Sequence, residues 1–552
     1  MRGIKYIKLS RLKKSFLLAT GIYIILLIFL WNRYGFAEDA LITFVYSKNL
    51  AIGHGITYTG HSNPVEGSTE FLWMVMLSLG SLFNIDIGFL SRILSGIFGI
   101  LIILFVSDFS NRYSDQRLVA YIAPIVASVT YLPMHTLTGF ATVAFGFAYI
   151  LSVWTCIHLL NKQDSIKYSI SFLGSGLLIA LIRPEGLLLF ASILFTFLIL
   201  SKNKSLFAKL SISFIVPLGI YHLFRYSYFG YLFPNPFYIK TAGALLKVSS
   251  MINIIHAYSQ LNLILFVVSI IALITVLANY KKYGDEMLVL FSPVLMHFIL
   301  YLFILQSQNV DHRFQYIYIL FSIIILPLGI KGISIIFGNV KSAAGSNVEK
   351  NPCALILNNN LKYNLVVGIL VVGMIMQPVS YLIMSGPGYG SSPINDEKLI
   401  AKNLSVYSTY NYTMLVSEAG ALPYYSGWNA IDSGGLNDEY IAHNGYNSEY
   451  IDRYSPDLIM FHAGSSGDPV PPNCSTDGWN SGWGRMNEIT YNYAVKNNYI
   501  LATIIRRPGG TYNWYFVKKS NPHADEIVQI ISNVDADHVK YNYNSIFCAR
   551  DT

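Results

Sequence analysis

Two adjacent carboxylates, Glu38 and Asp39, open the first sizeable polar stretch of the chain, a few residues past its first apolar run. Carboxylates resist leaving water, so acids held at the edge of hydrocarbon are costly there unless they are used. An ionised carboxylate in such a place can take the proton of a hydroxyl group, the work of a general base. Asp39 is the leading base; Glu38 beside it either positions a substrate or raises the pKa of its neighbour by like-charge repulsion. The same stretch, residues 36–73, continues with a Gly53-His54-Gly55 turn, Glu66, and the aromatic pair Phe71 and Trp73, an inventory suited to a loop folded back onto a membrane surface. Further on, Arg183, Lys240 and Arg313 stand at the polar ends of apolar runs. Arginine offers phosphate a bidentate match and lysine a point charge. Plainer readings stand beside these. The acid pair also suits a solvated loop start or a helix N-cap, and the cations suit anchors for lipid headgroups. His54 and His312 read as hydrogen-bonded groups rather than metal ligands, because no second His or Cys stands at ligand spacing.

What must position these residues is a membrane scaffold. Of 552 residues, 53% are hydrophobic and 12% charged, and the mean hydropathy is +0.45, far too apolar for a soluble chain of this length. Runs of about 18 apolar residues recur, each able to cross a bilayer core of about 30 Å. The net charge of +8 is unevenly placed: from residue 384 onward 11 Lys/Arg face 17 Asp/Glu, so 27 of the 38 basic residues lie before it. The basic excess belongs to the membrane part and orients its helices; it does not indicate a nucleic-acid partner.

In order, a basic leader precedes the first span at 16–31, read as an anchor because no small-residue cleavage site follows it. Residues 71–83 read as an interfacial helix, and 88–109 as the second span. Further spans fall near 118–133, 140–160, 168–183, 186–201, 207–223, 261–280, 286–305, 314–336 and 363–383. Their basic connections all fall on one side, giving about eleven transmembrane helices with the N-terminus cytoplasmic and the C-terminus external. A polytopic α-helical membrane domain, 1–383, whose external loop at 33–70 carries the acid pair proposed for catalysis, is therefore expected to precede an external α/β domain at 384–552. In the latter, strands are predicted at 414–417, 458–462, 499–505 and 512–518 and helices around 437–447, 487–496 and 522–532, with Arg507-Pro508-Gly509-Gly510 as a hairpin-like turn. Cys474 and Cys548 both fall in this domain, where an oxidising compartment could pair them; two free thiols are the alternative.

The run Glu38-Asp39-Ala40, then Gly53-His54-Gly55, Val65-Glu66-Gly67 and Leu72-Trp73 resembles the first external loop of bacterial GT-C glycosyltransferases, in particular the arabinofuranosyltransferase-like group. Further stretches resemble the same family: Arg183-Pro184-Glu185-Gly186, Pro234-Asn235-Pro236 followed by Lys240, Asp311-His312-Arg313-Phe314, and Glu418-Ala419-Gly420 through Asp432-Ser433-Gly434-Gly435-Leu436-Asn437-Asp438. The resemblance implies a GT-C fold in the bacterial inner membrane and transfer of a sugar from a polyprenyl-phosphate donor to an envelope glycan, lipid or protein acceptor, with inversion. Asp39 and Glu38 would be catalytic. Lys240, Arg183 and Arg313 would hold the donor phosphate, and His54, Glu66, Trp73, Glu185, Asn235 and His312 would contact substrate. No cofactor is required by this scheme, and a divalent metal is left open. One departure stands out: where the family usually carries Gly-x-Glu-Thr, this chain has Gly139-Phe140-Ala141-Thr142; if that Glu helps bind acceptor or a metal in the family, the role is lost or relocated here. A polysaccharide polymerase or ligase, and a transporter, are the competing classes. A transporter would call for mid-span charges or an inverted repeat, and neither is evident. No Walker loop, Gly-x-Gly-x-x-Gly or paired CxxC motif is present.

Overall fold

A computed structural model describes residues 2–59, 63–114, 116–241, 248–303, 309–343, 352–384, 395–463, 481–507 and 511–535. Among them seven helices are long and apolar enough to cross a membrane: Ser10–Leu30, Ile87–Tyr113, Thr142–Asn161, Lys204–Phe229, Leu261–Ala278, Tyr280–Tyr301 and Val310–Ile335. Four shorter apolar helices accompany them, Phe71–Ser81, Ile166–Ile182, Glu185–Leu200 and Asn364–Ser380. The span expected at 118–133 is instead two short helices, Val119–Val129 and Leu132–Leu137. Thr130 leaves helical geometry between them, and Pro133 sits in the first turn of the second, where its missing N–H is harmless.

The described chain forms two compact units. One comprises Met1–Tyr34, Ser91–Tyr221 and Ala244–Gly386; the other comprises Gly35–Leu90, His222–Gly243 and Pro387–Thr552. In the first, two buried polar side chains are matched by backbone groups of the same unit. Arg92 donates to the carbonyls of Trp31 (2.8 Å), Tyr34 (2.5 Å) and Leu137 (3.3 Å), satisfying a cation that hydrocarbon would otherwise penalise. Asn262 breaks the helix Val248–Ala278 with φ −160°. Its side-chain oxygen accepts from the Leu265 N–H at 3.0 Å, so it acts as the N-cap of the following apolar segment.

The second unit is built on a five-stranded sheet of β1 (Thr413–Val416), β2 (Asn429–Asp432), β3 (Leu458–Ala463), β4 (Ile500–Arg506) and β5 (Tyr512–Val517), ordered β2-β1-β3-β5-β4. β1 runs parallel to β2 and β3, while β5 is antiparallel to β3 and β4. β2 was not anticipated: its four residues, Asn-Ala-Ile-Asp, carry little strand signal of their own and are held by pairing with β1. Strand alternation divides the core in two. Met414, Val416, Met460, Tyr515 and Val517 enter one cluster, and Leu415, Ile459, Phe461, Trp514 and Phe516 the other.

Residues 38–51, read from sequence as part of a loop, form a helix, Glu38–Ala51, with both acids in its first turn. The run Ala40-Leu41-Ile42-Thr43-Phe44-Val45-Tyr46-Ser47 is buried throughout. A helix apolar on every face is stable only when enclosed. Ile42, Val45 and Tyr46 join the first cluster of the sheet, together with Met74 from Phe71–Ser81. The polar residues flanking this run give the stretch a loop-like average, which hid its helix.

Candidate active site

The Glu38–Ala51 helix begins without a side-chain cap, and its two carboxylates complement the partial positive charge of its own first turn. They part company there. Glu38 turns toward the short helix Ala421–Ser426: its Oε1 accepts from the backbone N–H of Gly420 (2.6 Å) and of Ala421 (2.8 Å). Glycine is needed at 420, since a Cβ there would lie 2.1 Å from the Glu38 carbonyl oxygen. The other carboxylate oxygen of Glu38 is buried without a hydrogen bond. Asp39 is half-buried, and its charge reaches Glu418.

Three glutamates and one arginine form the electrostatic setting of this junction. Glu397 is fully buried, and its Oε1 accepts from Arg507 (2.9 Å) and Asn513 (2.7 Å). Burial pushes the Glu397 carboxyl up to about 8 despite the adjacent Arg507. Burial likewise pushes Glu418 up to about 7, with Arg507 opposing and the Asp39 charge adding. Glu38 is raised well above the usual carboxylate range, first by burial and then by Glu397 and Glu418, against the two backbone N–H bonds. Burial pulls the Arg507 guanidinium down, and Glu397, Glu418, Asp396 and Glu38 more than reverse it. Near neutral pH the cluster therefore holds protons that ordinary carboxylates would have lost.

Several sequence motifs meet each other in this unit. Arg225 forms a buried ion pair with Glu66, with two contacts of 3.0 Å from Nε and a further one from Nη2. The Glu66 carbonyl accepts from the Asn235 N–H at 2.9 Å. Asn235 Nδ2 then reaches the carbonyls of Gly435 (2.8 Å), Leu436 (3.2 Å) and Asp438 (3.2 Å). Asp432 folds the same turn from within, accepting from the N–H of Gly434 and Asn437 and from the Asn437 amide. Gly67 lies so close to this turn that a Cβ would sit 2.0 Å from Asn437 Oδ1. Glu66 and Asn235 thus shape the turn at 432–438 through bonds to protein groups.

In the first unit, Arg183 and Arg313 line one small cavity together with Glu185, His297, Phe145 and Tyr316. Arg183 is paired to Glu185 at 2.5 Å, which also accepts from Tyr301 at 3.3 Å. Arg313 lies over the Phe140 ring at 3.8 Å. The cavity holds only about 10 Å³, room for about one water. Asp311 and His312 precede Arg313 with φ of +53° each, a left-handed pair that turns the chain sharply into the following helix.

His54 is exposed on the turn after the Glu38–Ala51 helix, and Trp73 is fully buried. Lys240 lies in the helix Asn235–Thr241, but its side chain is outside the described residues, as are Cys474 and Cys548. Among the described residues no group of three or more His, Cys, Asp or Glu is placed to hold a metal ion. Glu397 and Arg507 were missed as site residues. Neither sits in a motif with Glu38, and only folding brings their charges together.

Residues 396–517 match a family model described as a domain of unknown function (DUF8728). No curated protein matches the chain in sequence. Solved structures match it in fold. An oligosaccharyltransferase, AglB, from Archaeoglobus fulgidus, in complex with an inhibitory peptide and a dolichol-phosphate, aligns with TM-score 0.56 and 11% identity over 94% of this chain and 75% of that one. ArnT from Cupriavidus metallidurans, bound to undecaprenyl phosphate, aligns with TM-score 0.55 and 10% identity over 90% of this chain and 97% of that one. The fold is of the GT-C type. A second A. fulgidus oligosaccharyltransferase structure, in complex with Zn and sulfate, aligns with TM-score 0.52 and 11% identity over 91% of this chain and 72% of that one. As a GT-C fold the chain is a multi-pass membrane protein, with its sheet after the last apolar helix.

Proposed function

We propose that this GT-C protein is a membrane glycosyltransferase that moves a sugar from a polyprenyl-phosphate donor to an acceptor hydroxyl on the external face, with Asp39 as the base. The observation that carries the reading is the division of labour at the helix start. Glu38 is held by the N–H groups of Gly420 and Ala421, which fixes the turn, and Asp39 stands beside it in the same helical turn, half-buried, with its charge reaching Glu418.

In the reaction, Asp39 takes the acceptor hydroxyl proton as that oxygen bonds the anomeric carbon. The bond from that carbon to the phosphate oxygen breaks, its electron pair leaves with the phosphate, and the configuration inverts. Glu38 is a positioning residue. Arg183, Arg313 and Lys240 are the cations whose chemistry suits the departing phosphate. A lipid-linked donor is supported by the dolichol-phosphate and undecaprenyl phosphate carried by the two GT-C structures. The arabinofuranosyltransferase-like motifs support an envelope glycan, lipid or protein acceptor in the bacterial inner membrane. External placement of the sheet follows from the basic residues on alternate loops.

Transfer of labelled sugar from polyprenyl-phosphate donor in liposomes tests the assignment. Asp39→Asn should insert and bind donor normally yet lose transfer by about 10²–10⁴, with Glu38→Gln losing less. Wild-type rates in Asp39→Asn would remove Asp39 from the chemistry.

A further inference from the structure

We propose that the sheet-bearing unit binds a neutral saccharide chain in a cleft whose lining includes neither Glu38 nor Asp39. The cleft has a volume of about 510 Å³, within the range of small-molecule sites.

One wall comes from the short helices Glu439–Asn444 and Ser448–Tyr454. Tyr440 and Tyr450 stack with centroids 4.3 Å apart and planes within 5°, and the Arg453 guanidinium lies 5.2 Å from the Tyr440 ring. Tyr454, one helical turn beyond Tyr450, meets its ring edge-on and is 48% exposed. β2, the edge strand, also contributes to the lining, with Asn429 among its residues. Asp438 lines the cleft too, its carboxylate oriented by the Ile441 N–H (2.9 Å) and the Tyr450 hydroxyl (2.7 Å).

An exposed ring, Tyr454, beside the Asn429 amide and an oriented carboxylate matches the two kinds of surface a sugar offers. The C–H face of a pyranose or furanose covers an aromatic ring, and the vicinal hydroxyls both donate to a carboxylate and exchange bonds with an amide. A core does not need an exposed Tyr454, and an oriented Asp438 keeps acceptor lone pairs for a hydroxyl donor. Charge narrows the class. Asp438 and Glu439 outnumber Arg453 in the lining, so phosphorylated or uronic-acid chains are repelled where neutral ones are not.

This deepens the glycosyltransferase reading, on which it rests for its role, by making a neutral glycan the acceptor held by this unit. The test uses the full chain in lipid nanodiscs, free of sugar-based detergent, titrated with maltotriose, mannotriose, galactotriose and the N-acetylglucosamine trimer, with trigalacturonate as the charged comparator. At least one neutral trisaccharide should bind at about millimolar affinity or tighter, and Tyr454→Ala and Asn429→Ala, both with wild-type melting, should weaken it by at least roughly tenfold. Absence of binding, unchanged binding in both variants, or binding of trigalacturonate alone would overturn the inference. Sugar transfer measured on the same nanodiscs separates the two proposals. Transfer without trisaccharide binding sinks the cleft and leaves the enzyme, whereas binding with no transfer from polyprenyl-phosphate donors does the reverse.

Discussion

Replacing Glu38 by Ala and by Gln should have opposite consequences, and the difference measures what this carboxylate does. In Glu38→Ala the N–H groups of Gly420 and Ala421, now bonded at 2.6 and 2.8 Å, lose their acceptor. A buried donor left unpaired costs about 1–3 kcal/mol, so two cost about 2–6 kcal/mol. Relief of repulsion from Glu397 and Glu418 offsets part of this, leaving a net loss of about 1–4 kcal/mol. Glu38→Gln keeps a carbonyl oxygen with two lone pairs and removes the charge, so both N–H bonds survive. The pH dependence gives a second handle. Glu38, Glu397 (about 8) and Glu418 (about 7) are all raised above the ordinary carboxylate value of 4.5. The folded state therefore binds more protons than the unfolded chain between pH 4.5 and about 8. Stability is full below that window, falls as pH rises through it, and levels off above. Glu38→Gln should match wild type near pH 5, exceed it at pH 9 and show a shallower decline. Thermal unfolding followed by tryptophan fluorescence reports on this unit through the buried Trp428 and Trp514. If Glu38→Gln melts as low as Glu38→Ala at pH 9, or if wild-type stability rises from pH 5 to pH 8, the reasoning fails.

Arg225→Met should destabilise the sheet-bearing unit by about 3–5 kcal/mol by stranding Glu66, and adding Glu66→Gln should recover much of that; equal melting of the single and double variants would refute the pair as an isolated buried couple. Arg183→Gln and Arg313→Gln should weaken polyprenyl-phosphate binding in a nanodisc titration with melting preserved; lowered melting with unchanged binding would make them anchors instead. In intact cells, after reduction, an impermeant thiol reagent should label Cys474 and Cys548 and spare Cys353, and labelling of Cys353 alone would reverse the orientation.

Apolar run lengths made the polytopic helical character legible in the sequence, because a bilayer imposes a length and a composition on every span. Strand positions in the sheet were legible for the same kind of reason: β3 and β5 are apolar runs whose alternate residues serve two cores. The acid pair at 38 and 39 was visible as chemistry, but its two members look identical in one dimension. Only the fold separates them, because the amides that hold Glu38 come from residues 420 and 421, and no local pattern links positions so distant. Glu66 and Asn235 stand in short motifs that name no partner; the structure pairs Glu66 with Arg225 and Asn235 with the turn at 435–438. Glu397 and Arg507 carry no motif at all. Their pairing exists only because strand order places Asn513 and Arg507 beside the helix Asn395–Leu404, and a charge buried by folding has no signature in the chain that carries it.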